Sequence, residues 1–440
     1  HPAFRADIDR NALALLLRHN CIPAPYSIYQ GIHKLRPGHW LTLTHADHTM
    51  ARTPDPRPYW RFNDAVVAGL ANPFTGSDAD ATDALEAQLK QSIRAQMLAD
   101  VSLGALLSGG VDSSTIAALM QTQSGQPVRT FTIGFDEGGY DEAVHAKAVA
   151  RRLGTEHTEL YVRPEDALAV IPRLPSIYCE PFSDSSQIPT FLVSQLARRQ
   201  VTVALSGDAG DELFGGYNRY LMAHQAWGRM QRLPSFARRA AAAGLRALSP
   251  ATWDQLFAII KTLLPRRLHL ATPGDKAHKL ADVLAVADSQ AFFHHLTSHW
   301  QDPASLVLGA REPQTLLTDR LAWPATDSFE HGMMAMDAQT YLPDDILVKV
   351  DRAAMGVSLE TRVPLLDHRV VEFAWRLPLD MKIRHGQGKW ILRQVLDRYV
   401  PRTLIERPKM GFGVPLDRWL RGPLRDWAED LLDESRLRRE

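Results

Sequence analysis

The sequence predicts an α/β fold in which a doubly wound parallel sheet is followed by a helical carboxyl-terminal part. Three apolar runs have the length of buried strands, at residues 103–107, 128–135 and 201–205. Helical spacing of apolar residues lies between these runs, as in the pair Ile116 and Leu119. Strands that alternate with helices form a parallel sheet, and such sheets bind ligands beyond the carboxyl ends of their strands.

The first sixty residues predict one helix, at 11–18, and a strand at 40–44, which is too little structure to fold alone. Four prolines between about residues 53 and 82, with a polar stretch after the last of them, suggest a linker, which we place at 61–82 between residues 1–60 and a second unit at 83–440. Most of the long stretch between the last buried run and the carboxyl-terminal motifs has a helical pattern without informative motifs.

The composition excludes a disordered chain, a collagen-like chain and a coiled coil. Of 440 residues, 45% are apolar and 23% are charged, as in ordinary globular proteins. Fifty basic residues balance fifty acidic ones, so we expect no nucleic-acid partner and no association with a membrane. Two cysteines, Cys21 and Cys179, and the lack of a signal-peptide pattern predict a reducing, cytoplasmic location. The chain does not begin with Met, and we expect it to start within a longer protein; a homodimer is left open.

The first informative motif follows the run that ends at Leu107. Residues 108–114, hereafter the SGG loop, read SGGVDSS and run directly into a helix. Glycines let the backbone approach a phosphate, and the hydroxyls and helix amides donate hydrogen bonds to it. No lysine follows the glycines as in a Walker loop, and Asp112 is better suited to hold Mg²⁺. The alternative is a glycine-rich turn with an aspartate cap.

The second motif follows the run that ends at Leu205. Residues 206–217, hereafter the acidic turn, read SGDAGDELFGGY and carry three carboxylates within five residues. Small neighbours let these carboxylates reach a metal ion or a reacting group. Acidic turns are often merely solvated, but the position after a second strand places this one on the same sheet edge as the SGG loop.

The SGG loop resembles the pyrophosphate loop of the N-type ATP pyrophosphatases, and the acidic turn resembles the SGxGxDExFxGY motif of the asparagine synthetases. The resemblance implies an adenine-nucleotide α-hydrolase-like fold, cofactors ATP and Mg²⁺, and a carboxylate activated as an acyl-adenylate. It implies that Asp211 joins Asp112 in holding the metal and that Asp208 is a general base. Ala209 stands where close relatives have glycine, so a positive φ there would strain the turn.

Two further motifs fit the same family. Residues 341–352 read YLPDDILVKVDR, and the resemblance implies that Arg352 or Lys349 meets the phosphates, with Arg352 our choice; a capped amphipathic helix is the alternative. Residues 407–415 read RPKMGFGVP, and Lys409 in this loop would stabilise charge on the α-phosphate or the tetrahedral intermediate. A plain surface loop remains the other interpretation.

The family match also assigns the nucleotide site. Adenine would contact Leu106, Ile133 and Gly207, which are equally consistent with core strand positions. The complete set expected to bind ATP and pyrophosphate is Leu106, Leu107, Ser108, Gly109, Gly110, Asp112, Ser113, Ser114, Ile133, Ser206 and Gly207.

The beginning of the chain resembles the last part of the Ntn-type glutaminase domain of class II amidotransferases, through residues 28–32 and 34–39. That domain uses an amino-terminal cysteine as its nucleophile. Since neither cysteine here is amino-terminal, we expect these 440 residues not to hydrolyse glutamine, and ammonia to serve as donor unless a longer parent chain supplies the missing domain.

Three functions are therefore compared. The first is a carbon–nitrogen ligase of the asparagine-synthetase type that amidates aspartate or another carboxylate, such as a sugar acid. The second is a cyclase of the same fold, which forms a β-lactam or macrolactam with an amine of the substrate itself. The third is a non-catalytic binding protein, but its loops should have lost the carboxylates of Asp112, Asp208 and Asp211, which are all present.

Overall fold

The computed structural model describes residues 4–50, 53–135, 142–260, 272–407 and 413–439. Its strands are β1 His39–Trp40, β2 Arg57–Pro58, β3 Leu103–Leu106, β4 Arg129–Phe135, β5 Glu156–Val162, β6 Val203–Leu205 and β7 Glu360–Arg362.

Helices make up most of the remaining described structure, and none of them is both long and apolar enough to cross a membrane. In chain order they are α1 Arg10–His19, α2 His45–Thr49, α3 Phe62–Ala71, α4 Asp78–Gln96, α5 Val111–Gln121, α6 Ala143–Leu153, α7 Pro164–Val170, α8 Leu174–Tyr178, α9 Gln187–Arg198, α10 Gly210–Phe214, α11 Asn218–Gln231, α12 Ser235–Arg246, α13 Pro250–Ile260, α14 Pro273–Ala285, α15 Ser289–Leu296, α16 Phe329–Gln339, α17 Val348–Met355, α18 His368–Arg376, α19 Leu379–Lys382, α20 Trp390–Asp397, α21 Leu416–Arg421, α22 Arg425–Leu431 and α23 Glu434–Leu437.

Five of the strands form a parallel sheet in the order β5-β4-β3-β6-β7. The chain starts this sheet in the middle, at β3, builds outward to β5, and then returns to add β6 and β7 on the other side of β3. The direction of winding therefore reverses between β3 and β6. In doubly wound sheets the loops at such a reversal diverge and leave a crevice for a ligand.

Helices cover the two faces of the sheet, as the alternation of strand side chains requires. Ala105 and Leu205 pack into one core cluster, with residues of α4, α5, α6 and α20. Phe131 and Ala204 pack into the other, with residues of α9 and α17. Both faces are thus buried, and the predicted doubly wound α/β fold is confirmed.

The three predicted strands of this parallel sheet are present, but its two other strands were not predicted. Both lie at the edges of the sheet, where β5 carries polar residues on its exposed side and β7 has only three residues, ETR. An edge strand has one partner and needs no continuous apolar run, so its sequence gives little signal. The predicted strand at 40–44 is wrong beyond Trp40, because β1 has only two residues.

The amino-terminal sixty residues pack on the rest of the chain. Helix α1 is present where it was predicted, and the Asp9 carboxylate caps it by accepting from two amides of its first turn. The stretch predicted as a linker contains helix α3, which packs against α18. This local order does not test the predicted division at 1–60, 61–82 and 83–440, which stays a prediction.

Candidate active site

The SGG loop and the acidic turn leave the sheet side by side. Strand β3 pairs in parallel with β6, with Gly104 opposite Ala204, so the two loops emerge at the same edge and at the winding reversal. Gly207 allows the loops to touch, because a Cβ there would lie 2.6 Å from the Ser113 amide nitrogen. The sheet topology therefore brings together two motifs that are far apart in the sequence.

Serine hydroxyls hold the SGG loop in an open turn. The amide of Ser108 donates to Ser113 Oγ at 3.2 Å, and the two hydroxyl oxygens of these serines lie 2.9 Å apart. Gly109 has a φ of 72°, and a Cβ there would lie 2.7 Å from the backbone nitrogen of Ala146. Gly110 precedes α5 without a side-chain cap. The first amides of α5 are therefore available to an anion.

The acidic turn contains the strained residue that the sequence analysis anticipated. Ala209 has a φ of 73° and is buried, in a left-handed conformation that costs a residue with a Cβ about 1 kcal/mol or more. Helix α10 starts directly after it. A Cβ on Gly210 would lie 2.2 Å from Asp112 Oδ1, and one on Gly216 would lie 2.1 Å from Asp211 Oδ1. The two glycines therefore leave room for the two carboxylates.

Lys389 joins these two carboxylates, although it lies far along the chain. Its ammonium contacts Asp112 Oδ2 closely and lies 2.8 Å from Asp211 Oδ1. Burial opposes the charge of Lys389, but the two carboxylates outweigh it and raise the pKa of this lysine above its ordinary value. The three side chains form what we call the Asp–Lys–Asp cluster, Asp112, Asp211 and Lys389, with a net charge of about −1.

Asp208 and Glu212 are two further acids of the turn, and both hold protons more tightly than usual. Burial raises the pKa of Asp208, against the hydrogen bond that Ser206 Oγ donates to it at 2.7 Å. Burial, and then the charge of Asp211, raise the pKa of Glu212 to about 8, while the Tyr217 hydroxyl donates to Glu212 at 2.7 Å. A base with a raised pKa is suited to accept a proton near neutral pH.

The opposite wall of the site comes from a π-helix at Leu342–Leu347 and from helix α17. Lys349 contacts the carboxylate of Asp184 closely and lies 3.9 Å from Asp345 Oδ1. Lys349 overcomes burial and keeps the pKa of Asp184 below its ordinary value. Burial, and then the charge of Asp184, raise the pKa of Asp345 to about 7. This wall is therefore polar and close to charge-balanced.

A cavity of about 800 Å³ lies between the two loops and this wall. Most of the predicted site residues line it: Leu106, Leu107, Ser108, Gly110, Asp112, Ser113, Ile133, Ser206, Gly207, Asp208 and Asp211. Two of the predicted residues lie behind the loop instead. Gly109 packs against the start of α6, and Ser114 is completely buried in α5.

Arg352 does not lie in the cavity, which corrects our choice between the two cations of the third motif. Its side chain is exposed and donates to Cys179 Sγ at 3.6 Å, while Lys349 lines the cavity. Both residues belong to α17, but only Lys349 reaches the cavity. Lys409 lies outside the described residues.

Lys389 was missed by the sequence analysis, as was Arg407, whose guanidinium donates to the carbonyl of Ser108 at 3.2 Å. The signal for Lys389 was weak: residues 386–389 read GQGK in front of the apolar helix α20. A glycine-rich turn with a lysine has no specific meaning until the fold places it against the acidic turn.

Comparison with known proteins gives two family matches. Residues 84–440 match the model of the asparagine synthase family, and residues 1–60 match that of a glutamine amidotransferase domain.

Curated relatives match almost the whole chain. It is 28% identical over 433 residues to asparagine synthetase [glutamine-hydrolyzing] 1 of Bacillus subtilis, covering 98% of this chain and 63% of the relative. It is 32% identical over 435 residues to a putative asparagine synthetase [glutamine-hydrolyzing] of Mycobacterium bovis, covering 97% and 61%. It is 24% identical over 447 residues to amidase chry2 of Gibberella zeae, covering 93% and 62%. The chain thus spans about three-fifths of the length of these relatives.

Proposed function

The chain belongs to the asparagine synthase family, and from this premise we propose that it is an ATP-dependent ligase that converts a carboxylate into an amide. In the proposed reaction a carboxylate oxygen of the acceptor attacks the α-phosphate, and the bond to the β-phosphate breaks to release pyrophosphate. Ammonia then attacks the acyl-adenylate, loses a proton, and displaces AMP. The acceptor is aspartate or another carboxylate such as a sugar acid.

One observation carries this proposal: the SGG loop and the Asp–Lys–Asp cluster face the same cavity at the winding reversal of the sheet. The open amides of α5 suit the phosphates, and the apolar side chains of Leu106 and Ile133 suit a base. The volume of about 800 Å³ is ample for a nucleotide together with a small acceptor.

Asp112 and Asp211 are the proposed ligands of Mg²⁺. This ion binds through one or two carboxylates and takes its other oxygens from phosphates and water, so two carboxylates beside a phosphate cradle fit it. The glycines at positions 210 and 216 support the assignment, because any side chain there would fill the space of the two carboxylates. When bound, Mg²⁺ would offset the negative charge of the phosphates.

Asp208 is the proposed base for the incoming ammonia. It lines the cavity next to the SGG loop, and burial raises its pKa toward the range in which it can take up a proton. Lys349, across the cavity, is a cation that can contact the acyl-adenylate or the acceptor, in place of Arg352. For Lys409 we retain the proposal that it stabilises charge on the α-phosphate.

Ammonia is the proposed nitrogen source at this site, and glutamine would supply it through an amidotransferase domain. The match of residues 1–60 to a glutamine amidotransferase domain supports the second route. Residues of this segment pack close to the cavity wall: the Ala24 amide donates to Asp344 at 3.0 Å, and Asp344 adjoins Asp345 of the wall.

The test is an assay of ATP–pyrophosphate exchange over a panel of carboxylates that includes aspartate and uronic acids, followed by addition of ammonia. We expect exchange with one class of acceptor and amide formation when ammonia is added. Formation of a cyclic product without ammonia would instead identify a cyclase. Failure of every acceptor to support exchange would contradict the ligase.

Asp112→Asn tests the metal assignment within this assay. The amide cannot carry the negative charge that Mg²⁺ needs, so we expect exchange to fall at least about 10²-fold. Asp426→Asn, at an exposed position on α22 away from the cavity, is the matched control and should exchange at the wild-type rate. Wild-type exchange by Asp112→Asn would show that this carboxylate does not hold the metal.

A further inference from the structure

The Asp–Lys–Asp cluster places a protein cation where the proposed function places a metal ion. Lys389 contacts Oδ2 of Asp112 and Oδ1 of Asp211, which belong to two different loops. A lysine ammonium between two carboxylates supplies the same kind of charge compensation as a bound cation. The protein itself therefore compensates part of the negative charge of the two carboxylates.

Backbone contacts fix Lys389 in this position. Its amide donates to the carbonyl of Phe214 at 2.8 Å, which ties it to the acidic turn. It has a left-handed backbone with a φ of 59°, which a residue with a Cβ adopts only where its surroundings impose it. A Cβ on Gly388 would lie 2.1 Å from the carbonyl oxygen of Gly215, so only glycine allows this approach. The lysine is thus held against the carboxylates, unlike a mobile surface lysine.

The net charge of the cluster limits its binding of a metal ion while Lys389 contacts the two carboxylates. Two carboxylates alone carry a charge of about −2, whereas the cluster carries about −1 because Lys389 is buried among them. Within the part of the chain that the structure describes, no group of three or more His, Cys, Asp or Glu side chains is arranged to hold a metal ion. A divalent cation would have to displace the lysine and still lack ligands.

We infer that Lys389 is a gate on the metal site. Its ammonium occupies the carboxylates of Asp112 and Asp211 until nucleotide phosphates draw it away. Triphosphate oxygens at the SGG loop offer the ammonium new partners and also supply the oxygens that Mg²⁺ still needs. Metal and nucleotide then bind with positive coupling, and each tightens the binding of the other by the same factor. The inference rests on the proposed function, since it takes these aspartates as the metal ligands.

The test measures Mn²⁺ binding by electron paramagnetic resonance of the free ion, with and without α,β-methylene-ATP, which cannot be cleaved between the α and β phosphates. A titration without protein corrects for the Mn²⁺ that the analogue binds in solution. For the wild-type chain we expect weak binding of Mn²⁺ alone and binding at least about tenfold tighter with the analogue. Lys389→Met keeps the length of the side chain but removes its charge. We expect it to bind Mn²⁺ about tenfold more tightly without nucleotide and to show a correspondingly smaller coupling.

Lys382→Met is the matched control, because Lys382 is also completely buried but does not line the cavity. It should bind Mn²⁺ as the wild type does. Asp112→Asn combined with Lys389→Met should lose the gain, since one of the two carboxylates is then neutral. Circular dichroism checks that each variant is folded, and Lys389→Gln, which also removes the charge, replaces Lys389→Met if that variant does not fold.

Two outcomes would overturn the gate and leave the ligase standing: tight binding of Mn²⁺ to the wild type without nucleotide, or no gain in Lys389→Met while the wild type still shows coupling. Absence of Mn²⁺ binding in the wild type both with and without the analogue would instead contradict the proposed function. The exchange assay decides that question separately, because it needs no lysine variant.

Discussion

Glu212 shows how the surroundings of one side chain set its charge. It is a buried residue of the acidic turn, next to Asp211, and its carboxylate accepts a hydrogen bond from the Tyr217 hydroxyl. Burial and the neighbouring carboxylate raise its pKa from 4.5 to about 8. The folded chain therefore holds a proton on Glu212 over a pH range in which the unfolded chain has lost it.

This difference makes the stability of the fold depend on pH. A pKa that is raised on folding contributes stability fully below the unfolded value, near 4.5, and that stability is lost as the pH rises toward 8. Glu212→Gln removes the titration but keeps an acceptor for Tyr217. From pH 5 to pH 8 we expect the variant to gain up to about 3 kcal/mol in free energy of unfolding relative to the wild type.

Urea unfolding at the two pH values measures this gain. Glu165→Gln, at an exposed position in the first turn of α7, is the control and should show the same pH dependence as the wild type. A constant difference between Glu212→Gln and the wild type across this range would mean that Glu212 is ionised in the folded chain.

At the scale of elements, the site depends on how the segment before α20 is held against the acidic turn. Gly388 approaches the carbonyl of Gly215, and the side chain of Ile383 packs beside Gly215. These backbone contacts carry Lys389 to the carboxylates. The position of Lys389 in the cluster therefore depends on the loop before α20, which contacts the acidic turn at several points.

Gly388→Ala tests this clamp. The new Cβ would lie 2.1 Å from the Gly215 carbonyl oxygen, so one of the two segments must move and Lys389 moves with it. We expect ATP–pyrophosphate exchange to fall at least about tenfold, since shifts of about 1 Å at a catalytic constellation have effects of that order or larger. Gly228→Ala, in α11, meets nothing within 4 Å and should keep the wild-type exchange rate. Unchanged exchange by Gly388→Ala would show that the contact does not position the lysine.

For the whole molecule, the amino-terminal segment is joined to the rest of the chain by a buried polar anchor. Arg18 of α1 forms two hydrogen bonds to the carboxylate of Glu312, one of them 2.6 Å long. It also donates to Ser298 Oγ at 3.0 Å and to the carbonyl of Gln301 at 3.1 Å. A second contact joins Lys34 to Glu180. Residues 1–60 are thus bound to the unit that carries the cavity.

Arg18→Ala measures how much this anchor contributes. The side chain of Arg18 is only 7% exposed, so its removal leaves Glu312 with an uncompensated, partly buried charge. We expect a loss of about 3 kcal/mol in free energy of unfolding. Arg5→Ala breaks the exposed pair with Asp7 and should cost less than about 1 kcal/mol. Equal urea midpoints for the two variants would rule out an anchoring role for Arg18.

The sequence was sufficient for the central part of the fold and for both loops of the site. Buried parallel strands need long apolar runs, so β3, β4 and β6 were visible, and the motifs at residues 108–114 and 206–217 directly follow two of them. The strain at Ala209 was also foreseeable. Relatives usually have glycine at this position of the motif, and glycine adopts a positive φ without the cost that alanine has.

Tertiary structure decided which cations join those loops. Lys389 lies 277 residues from Asp112, and no local pattern reports a contact over that distance. Lys349 and Arg352 are three apart on α17 and therefore near each other on the helix surface, so the sequence alone could not tell which of them reaches the cavity. Local sequence determines loops and strands through short-range sterics and burial, whereas charge pairing across the sheet edge arises only once the chain has wound around β3.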